Sequence, residues 1–430
     1  LQSFENSSQV SVFSTVWPGI DLPGFWFTNV HASLRLGDFS LAALRLPAAL
    51  FGAFTIVPVY GLIRGVWGRW AAIAGAGIMA VSISNVHFSR VTLNNIVTQF
   101  FWATCFYFLI RGLRTRRPVD WALAGIAGGL SEHYYYGTRL LFILLIAFAL
   151  YLLVIHWRRG WQYLGLFALT ALGFIVAFGP LLANFGRNPQ LYLGRGSGVL
   201  TWNRIPTGWD DLALMWNTLW PLFELNLLTF SILPATDSVY FAPLLLTLEA
   251  ALLPLGVALL IWRWRHPAAF LMLLVGFGVL FVGGTLVPSP GFIAHWTPAF
   301  PTFYVGMAVP VGAWAASGWR VLPERARLLL PATVGVGLAA IAVLNLDFYF
   351  NKYQVTRPEF EIRAFQSRRQ AALGSDYIVL NLGRTWQPYD LETNSYLVKD
   401  QQGAQLYNPS AELPVPNPDG RGLGFFFMES

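Results

Sequence analysis

The chain has 430 residues, of which 55% are hydrophobic and only 11% are charged, and its formal net charge is +7 at pH 7. Soluble globular proteins carry roughly a quarter of their residues as charged side chains, so this composition excludes that class and indicates a polytopic helical membrane protein. The positive charge is spread over short turns rather than over one face. This distribution argues against a nucleic-acid partner and favours contact with membrane lipid head groups.

The chain begins with a polar segment, residues 1–44, which is rich in aromatic and turn-forming residues. We interpret it as the first loop on the exoplasmic side of the membrane. A polar N-terminal segment on that side needs an element that carries it across the bilayer. We therefore expect one more transmembrane helix, or a removed signal segment, upstream of Leu1.

Ten long apolar runs follow, and most are near the ~20 residues that a bilayer helix needs. They span residues 46–66, 70–86, 94–111, 119–131, 139–155, 161–183, 241–262, 268–287, 299–318 and 328–347. The run 119–131 is short and also suits a buried or re-entrant segment. Arginines stand in every second gap, which the positive-inside rule assigns to the cytoplasm. The sequence predicts an all-α transmembrane domain at residues 45–347 with both flanking segments outside.

Two further segments complete the predicted organisation. Residues 184–240 form a long exoplasmic loop whose apolar stretch 212–233 is interrupted by polar residues and a proline, as in an interfacial or re-entrant helix. Residues 348–430 are predicted to form a small exoplasmic α/β cap, with helix-like residues 358–373 and a strand over Tyr377–Leu382.

Metal and soluble-enzyme chemistry find little support in the sequence. The single cysteine, Cys105, lies in an apolar run, which excludes an intrachain disulfide and a cysteine-based metal site. No metal site is predicted, because the histidines and acids lack the spacing of metal ligands, and no phosphate-cradling glycine loop or nucleophile elbow is visible. Glu249 is the acid expected deepest in the membrane; it suits packing better than a proton relay.

Polar residues cluster instead in the exoplasmic turns. One turn contains Arg90; the next reads Glu132-His133-Tyr134-Tyr135-Tyr136-Gly137-Thr138-Arg139; Arg195 and His295 follow in later loops. A guanidinium beside phenols suits a lipid-linked phosphate. The alternative is that the arginines reach the outer head groups and the tyrosines form an ordinary interfacial belt. Two such turns on one side favour a binding site.

The stretch Leu44–Gly52, followed by Val59–Leu62 and Ser89-Arg90, resembles membrane glycosyltransferases of the GT-C superfamily. The branch most similar is the protein-mannosyltransferase and aminoarabinose-transferase-like one, and the resemblance continues through Tyr134–Arg139 and Arg187–Arg195. It implies an inner-membrane protein that moves a sugar from a polyprenyl-phosphate carrier to an exoplasmic acceptor. By resemblance, we assign binding of the carrier phosphate to Arg90, Tyr135, Tyr136, Arg139, Arg195 and His295.

In this superfamily the catalytic base is typically the aspartate of an Asp-Glu pair in the first exoplasmic loop, where it deprotonates the acceptor hydroxyl. Residues 1–44 contain only the separate acids Glu5, Asp21 and Asp38. The resemblance therefore leaves the catalytic residue unknown and places the expected pair upstream of Leu1.

Two other departures concern the predicted carrier site. Asn94 and Asn95 stand where the family often carries an aspartate, and His295 stands where relatives commonly present an arginine. These departures support an alternative function, a catalytically inactive GT-C-like accessory subunit of a larger membrane complex. A transporter is a third interpretation, which the lack of a visible internal repeat disfavours.

Overall fold

The computed structural model describes residues 15–16, 22–37, 40–190, 192, 212–231, 242–286, 293–353, 373–382, 402–406 and 409–427. The chain divides into two compact units. The first consists of Leu1–His31 and Arg45–Asp347, and the second of Ala32–Leu44 and Phe348–Ser430.

Most described residues are helical. The α-helices are α1 (Phe25–Leu36), α2 (Leu41–Phe54), α3 (Ile56–Trp67), α4 (Arg69–Val81), α5 (Ile83–Phe88), α6 (Asn95–Thr115), α7 (Pro118–Ser131), α8 (Arg139–Ile155), α9 (Trp157–Arg187), α10 (Leu212–Ser231), α11 (Thr247–Trp262), α12 (Pro267–Val279), α13 (Phe300–Val321), α14 (Leu329–Asp347) and α15 (Pro409–Glu412). Helices α12 and α14 continue as π-helical turns over Leu280–Thr285 and Phe348–Lys352. Short 3₁₀ segments include Tyr136–Thr138 and Ile293–Ala299.

Within the described residues, seven helical segments are long and apolar enough to cross a bilayer. They are Ala42–Trp67, Asn95–Thr115, Tyr136–Ile155, Trp157–Arg187, Pro267–Thr285, Ile293–Val321 and Glu324–Lys352. Two shorter apolar helices, Arg69–Val81 and Thr247–Trp262, fall on further predicted runs. The prediction of a polytopic, helical, multi-pass membrane protein is confirmed.

Two predicted runs form helices that periodicity did not foresee in detail. The run 70–86 breaks at Ser82, whose backbone is extended (φ −62°, ψ 135°), so that it forms α4 and then the short α5. The short run 119–131 forms α7, which packs on α9. The Thr170 hydroxyl of α9 donates a 3.0 Å hydrogen bond to the Trp121 carbonyl of α7. The predicted interfacial stretch forms α10, a continuous helix through Pro221.

A buried polar contact joins three helices at the Ser82 break. The Ile83 amide, which begins α5, donates to Asn345 Oδ1 at 3.0 Å, and Asn345 Nδ2 donates to Glu249 Oε2 at 3.0 Å. Glu249 has no exposed surface. Because a buried carboxylate is costly unless it is hydrogen-bonded, the bonds that Asn345 and the Leu246 amide donate to Glu249 Oε2 agree with the packing interpretation of this acid.

The second unit contains the strands β3 (Tyr377–Leu382), β4 (Gln402–Leu406) and β5 (Gly422–Phe427). They form a parallel sheet with the order β4-β3-β5. Ile378 and Leu380 of β3 pack with Leu406 in a small apolar core. Two short antiparallel strands, β1 (Thr15–Val16) and β2 (Leu22–Pro23), lie near the N-terminus. The predicted helix at residues 358–373 lies outside the described residues, and the exoplasmic position of the cap stays a prediction.

Candidate functional site

The turn between α7 and α8 carries the acid, the base and the three tyrosines that the sequence singled out. Tyr135 has an extended backbone (φ −151°, ψ 140°), and a 3₁₀ turn follows over Tyr136–Thr138. Successive side chains along an extended segment point to opposite sides of the chain, and the 3₁₀ turn that follows changes the direction again. The structure therefore separates the tyrosines, which the sequence had grouped into one site, and gives each a different neighbour.

Arg139, the first residue of α8, lies between two of these rings. Its guanidinium carbon is 4.2 Å from the centroid of the Tyr136 ring and 3.8 Å from that of Tyr192. Its Nη1 donates to the Tyr192 carbonyl. Its Nε and Nη2 are buried and have no hydrogen-bond partner among the described residues. A guanidinium that is held by aromatic faces and keeps unused donors is suited to a planar oxyanion such as phosphate.

An apolar cluster on α9 forms the wall behind this arginine. Phe174, Phe178, Leu181 and Phe185 are buried together, and Tyr136 and Tyr192 pack against them. The cluster restricts the positions of both tyrosine rings, and these rings in turn contact the Arg139 guanidinium. A water-poor setting also strengthens any charge–charge interaction that the guanidinium makes.

The carboxyl group of Glu132 interacts electrostatically with the Arg139 guanidinium. Its side chain is only 5% exposed. Burial raises the pKa of the Glu132 carboxyl to about 8, although the charge of Arg139 and the side chain of Thr138 act in the opposite direction. At neutral pH the carboxyl is therefore mostly protonated, which leaves the positive charge of Arg139 uncompensated by this neighbour.

The other two tyrosines have different surroundings. The Tyr135 ring stacks on the half-buried His295 ring, with centroids 6.4 Å apart and an interplanar angle of 28°. Tyr134 turns away from both pairs: it accepts a 3.1 Å hydrogen bond from Asn29 Nδ2 and packs against Phe51. The neighbouring His133 ring nitrogen lies 2.8 Å from the Ala177 carbonyl, and burial lowers its pKa. Tyr134 and His133 therefore anchor the turn.

Asn94 and Asn95, which stand where the family often carries an aspartate, hold backbone in place. Asn94 Nδ2 donates to the Tyr134 carbonyl at 2.8 Å, and Asn95 Nδ2 donates to the Ala294 carbonyl at 2.8 Å. The first bond fixes the tyrosine turn and the second fixes the residue before His295. A carboxylate has no proton to donate to a carbonyl, so an ionised aspartate does not perform this task.

The remaining predicted site residues are placed less fully. A Cβ atom on Gly52 would clash with the Ser89 hydroxyl oxygen, so the Leu44–Gly52 stretch directly contacts the Ser89-Arg90 element. Arg90 is half-buried and follows α5, and its carrier-binding role stays a prediction. Arg195 lies outside the described residues.

Sequence reasoning missed Tyr192 and Phe185 as partners of Arg139. Tyr192 lies within the Arg187–Arg195 stretch that carried the family resemblance, so a signal was present, but nothing in the spacing linked it to a residue 53 positions earlier. In the described part of the chain, no group of three or more histidines, cysteines and acids is placed to hold a metal ion.

Comparison with known proteins agrees with the resemblance. Residues 22–183 match the family model of dolichyl-phosphate-mannose-protein mannosyltransferase. No curated protein sequence matches the chain significantly.

Solved structures match the fold over nearly the whole chain. The crystal structure of ArnT from Cupriavidus metallidurans in the apo state has a TM-score of 0.61 at 13% identity, covering 94% of this chain and 79% of ArnT. The crystal structure of the same protein bound to undecaprenyl phosphate has a TM-score of 0.63 at 13% identity, covering 96% of this chain and 82% of ArnT. The crystal structure of an oligosaccharyltransferase from Archaeoglobus fulgidus, in complex with zinc and sulfate, has a TM-score of 0.50 at 13% identity. It covers 89% of this chain and 53% of the oligosaccharyltransferase. Residues 22–183 thus match the sequence model of that mannosyltransferase family, and the chain has the same fold as the ArnT structures.

Proposed function

We propose that this protein is an integral membrane glycosyltransferase that takes a sugar from a polyprenyl-phosphate carrier and passes it to an acceptor outside the cytoplasm. The observation that carries the proposal is the Arg139 guanidinium, which lies between the rings of Tyr136 and Tyr192 and has two nitrogens that pair with none of the described residues. The bound undecaprenyl phosphate of the similar ArnT structure supports a carrier of that class. The protein would act in the inner membrane with its C-terminal cap outside the cytoplasm.

In the proposed reaction, the bond between sugar C1 and the carrier phosphate breaks while the acceptor oxygen bonds to C1. Negative charge then collects on the leaving phosphate, and preorganised donors lower the barrier by meeting that charge as it develops. Arg139 is assigned this role, because its free donors need no rearrangement to reach an oxyanion. We assign Arg90, Tyr135, Arg195 and His295 to further carrier contacts.

The acceptor hydroxyl must lose its proton, and this step is not assigned to any residue of the chain. Glu132 is a poor base at neutral pH, because its pKa of about 8 keeps it largely protonated. It therefore suits a role in setting the charge around Arg139 better than the role of the general base that deprotonates the acceptor.

Replacement of Arg139 tests the proposal. Hydrogen bonds to charged groups contribute roughly 1.5–3 kcal/mol each, so Arg139→Ala should weaken undecaprenyl phosphate binding by about 3 kcal/mol, or roughly 100-fold. The dissociation constant is measured by competition in detergent micelles. Arg159→Ala, an exposed arginine at the opposite end of α9, is the control and should bind as the unaltered protein does. Equal affinities of the unaltered protein and Arg139→Ala would remove Arg139 from the site.

A second candidate function is an inactive accessory subunit that binds the carrier without turning it over. The engagement of both Asn94 and Asn95 with backbone carbonyls favours it, since these positions supply no base. Gentle purification from the native membrane distinguishes the two. Sugar transfer by the isolated protein supports the transferase, whereas partners in fixed ratio and carrier binding without transfer support the subunit.

A further inference from the structure

A cleft lies at the end of the helices opposite to the candidate site. It has a volume of about 400 Å³ and is lined by Trp67, Gly68, Arg69, Trp70, Gly312, Ala315, Ala316, Trp319 and Arg320. Helix α13 connects the two regions: it begins just after the His295 segment and reaches Trp319 after nineteen residues, about 29 Å at the rise of an α-helix. The cleft is therefore about one hydrocarbon thickness away, at the opposite membrane surface.

Two arginines and three tryptophans from separate helices converge on this cleft. The Arg69 guanidinium carbon is 4.8 Å from the Trp70 ring centroid and 5.5 Å from that of Trp319. Arg327 lies 5.7 Å from the centroid of the same Trp319 ring. In the described part of the chain, neither Arg69 nor Arg320 forms an ion pair with a carboxylate. The cleft thus has an excess of positive charge that no carboxylate of the described residues neutralises through an ion pair.

Small residues create the space. Gly312 and Ala315 are buried on the face of α13 that packs against the α3–α4 junction. Because their side chains are small or absent, they do not fill the cleft. Tryptophan rings favour the head-group level of a bilayer, where the ring is apolar and its N–H remains hydrogen-bonded. Guanidinium groups at that level bind phosphate in a bidentate manner. A phosphodiester with acyl chains directed into the bilayer matches both features.

We propose that this cleft is a binding site for the phosphodiester head group of an anionic phospholipid of the leaflet opposite the candidate site. By the arginine distribution this is the cytoplasmic leaflet, whose anionic lipids attract basic juxtamembrane residues. The proposal is independent of sugar transfer, because it uses none of the residues of the candidate site.

The test compares lipids on the purified full chain by native mass spectrometry. Phosphatidylglycerol should bind more tightly than phosphatidylcholine with the same acyl chains. R69Q/R320Q should weaken phosphatidylglycerol binding roughly thirtyfold, which is the scale expected for two basic residues near a membrane surface. R158Q/R159Q removes the same charge from exposed arginines beside Trp157 that do not line the cleft, and should change binding less than about twofold.

A second measurement does not depend on any variant. A ligand that binds only the folded protein raises its melting temperature, so phosphatidylglycerol should stabilise the unaltered protein more than phosphatidylcholine does. Equal binding of the two lipids, or equal losses in the two double variants, would overturn the proposal. Displacement of the lipid by inorganic phosphate at matched ionic strength would identify a site for free anions, and would likewise overturn it.

Discussion

Glu132 should make carrier binding depend on pH, and Glu132→Gln should abolish that dependence. In the unaltered protein the carboxyl is 5% exposed and has a pKa of about 8. At pH 7 it is neutral in about nine molecules of ten, and at pH 9 it is charged in a similar fraction. Raising the pH thus places a negative charge near Arg139, where it attracts the guanidinium and repels a bound phosphate.

The size of the effect follows from proton linkage. If the phosphate binds only when Glu132 is protonated, affinity falls in proportion to the protonated fraction, which is about tenfold between pH 7 and pH 9. The second pKa of a phosphate monoester is near 6, so the ligand is already about nine-tenths doubly ionised at pH 7 and its charge changes little in this window. In Glu132→Gln the affinity should match the unaltered protein at pH 7 within about twofold and stay constant to pH 9.

The assay is the dissociation constant of undecaprenyl phosphate, measured by competition from pH 7 to pH 9 at constant ionic strength. Glu324→Gln serves as the control, since Glu324 is exposed and lies at the other end of the membrane domain. This variant should keep the tenfold fall. A Glu132→Gln protein that loses affinity with pH as steeply as the unaltered protein would refute the reasoning, and so would a flat profile in the unaltered protein.

Other predictions concern the packing of the membrane domain. Gly256→Ala should lower the free energy of unfolding by roughly 3 kcal/mol, because its Cβ atom would clash with the Gly306 carbonyl oxygen of the facing helix; thermal unfolding in detergent measures it. The control Gly335→Ala, which adds a Cβ atom in open space on a helix, should be neutral or slightly stabilising, and a loss as large as that of Gly256→Ala would contradict the packing argument. Asn345→Ala should cost about 3 kcal/mol, because it removes a donor from the buried Glu249 and leaves a backbone amide unpaired; an unchanged melting temperature would show that water or another group replaces both bonds.

The Glu132 carboxyl also gives stability a pH dependence of defined sign. Because its pKa is raised in the folded protein, its contribution is complete below the ordinary value near 4.5 and is lost as the pH rises through about 8. Within that window the loss approaches about 1.4 kcal/mol per pH unit. Glu132→Gln should therefore reduce the difference in melting temperature between pH 5 and pH 8.

Much of the fold could be read from local patterns. Apolar runs of about twenty residues define helices because only a helix satisfies its backbone in lipid, and in the described part of the chain seven predicted runs lie on helices long and apolar enough to cross a bilayer. Alternating arginines predict a topology for a similarly local reason, and this topology stays a prediction. The break at Ser82 escaped the prediction, because its stabilising partner is Asn345, 262 residues beyond the Ile83 amide that it binds.

For the candidate site, too, local sequence and tertiary contacts determine different features. The sequence by itself determined which groups could serve an anionic carrier, since arginine and tyrosine chemistry does not depend on fold: Arg139, Tyr135, Tyr136 and His295 were all named from it. Only the tertiary structure decided which of them are neighbours. An extended residue sends Tyr135 toward His295, while α9 and Tyr192 enclose Tyr136 and Arg139 on another side. Such pairings join residues far apart in the chain, and they depend on helix packing that no local spacing encodes.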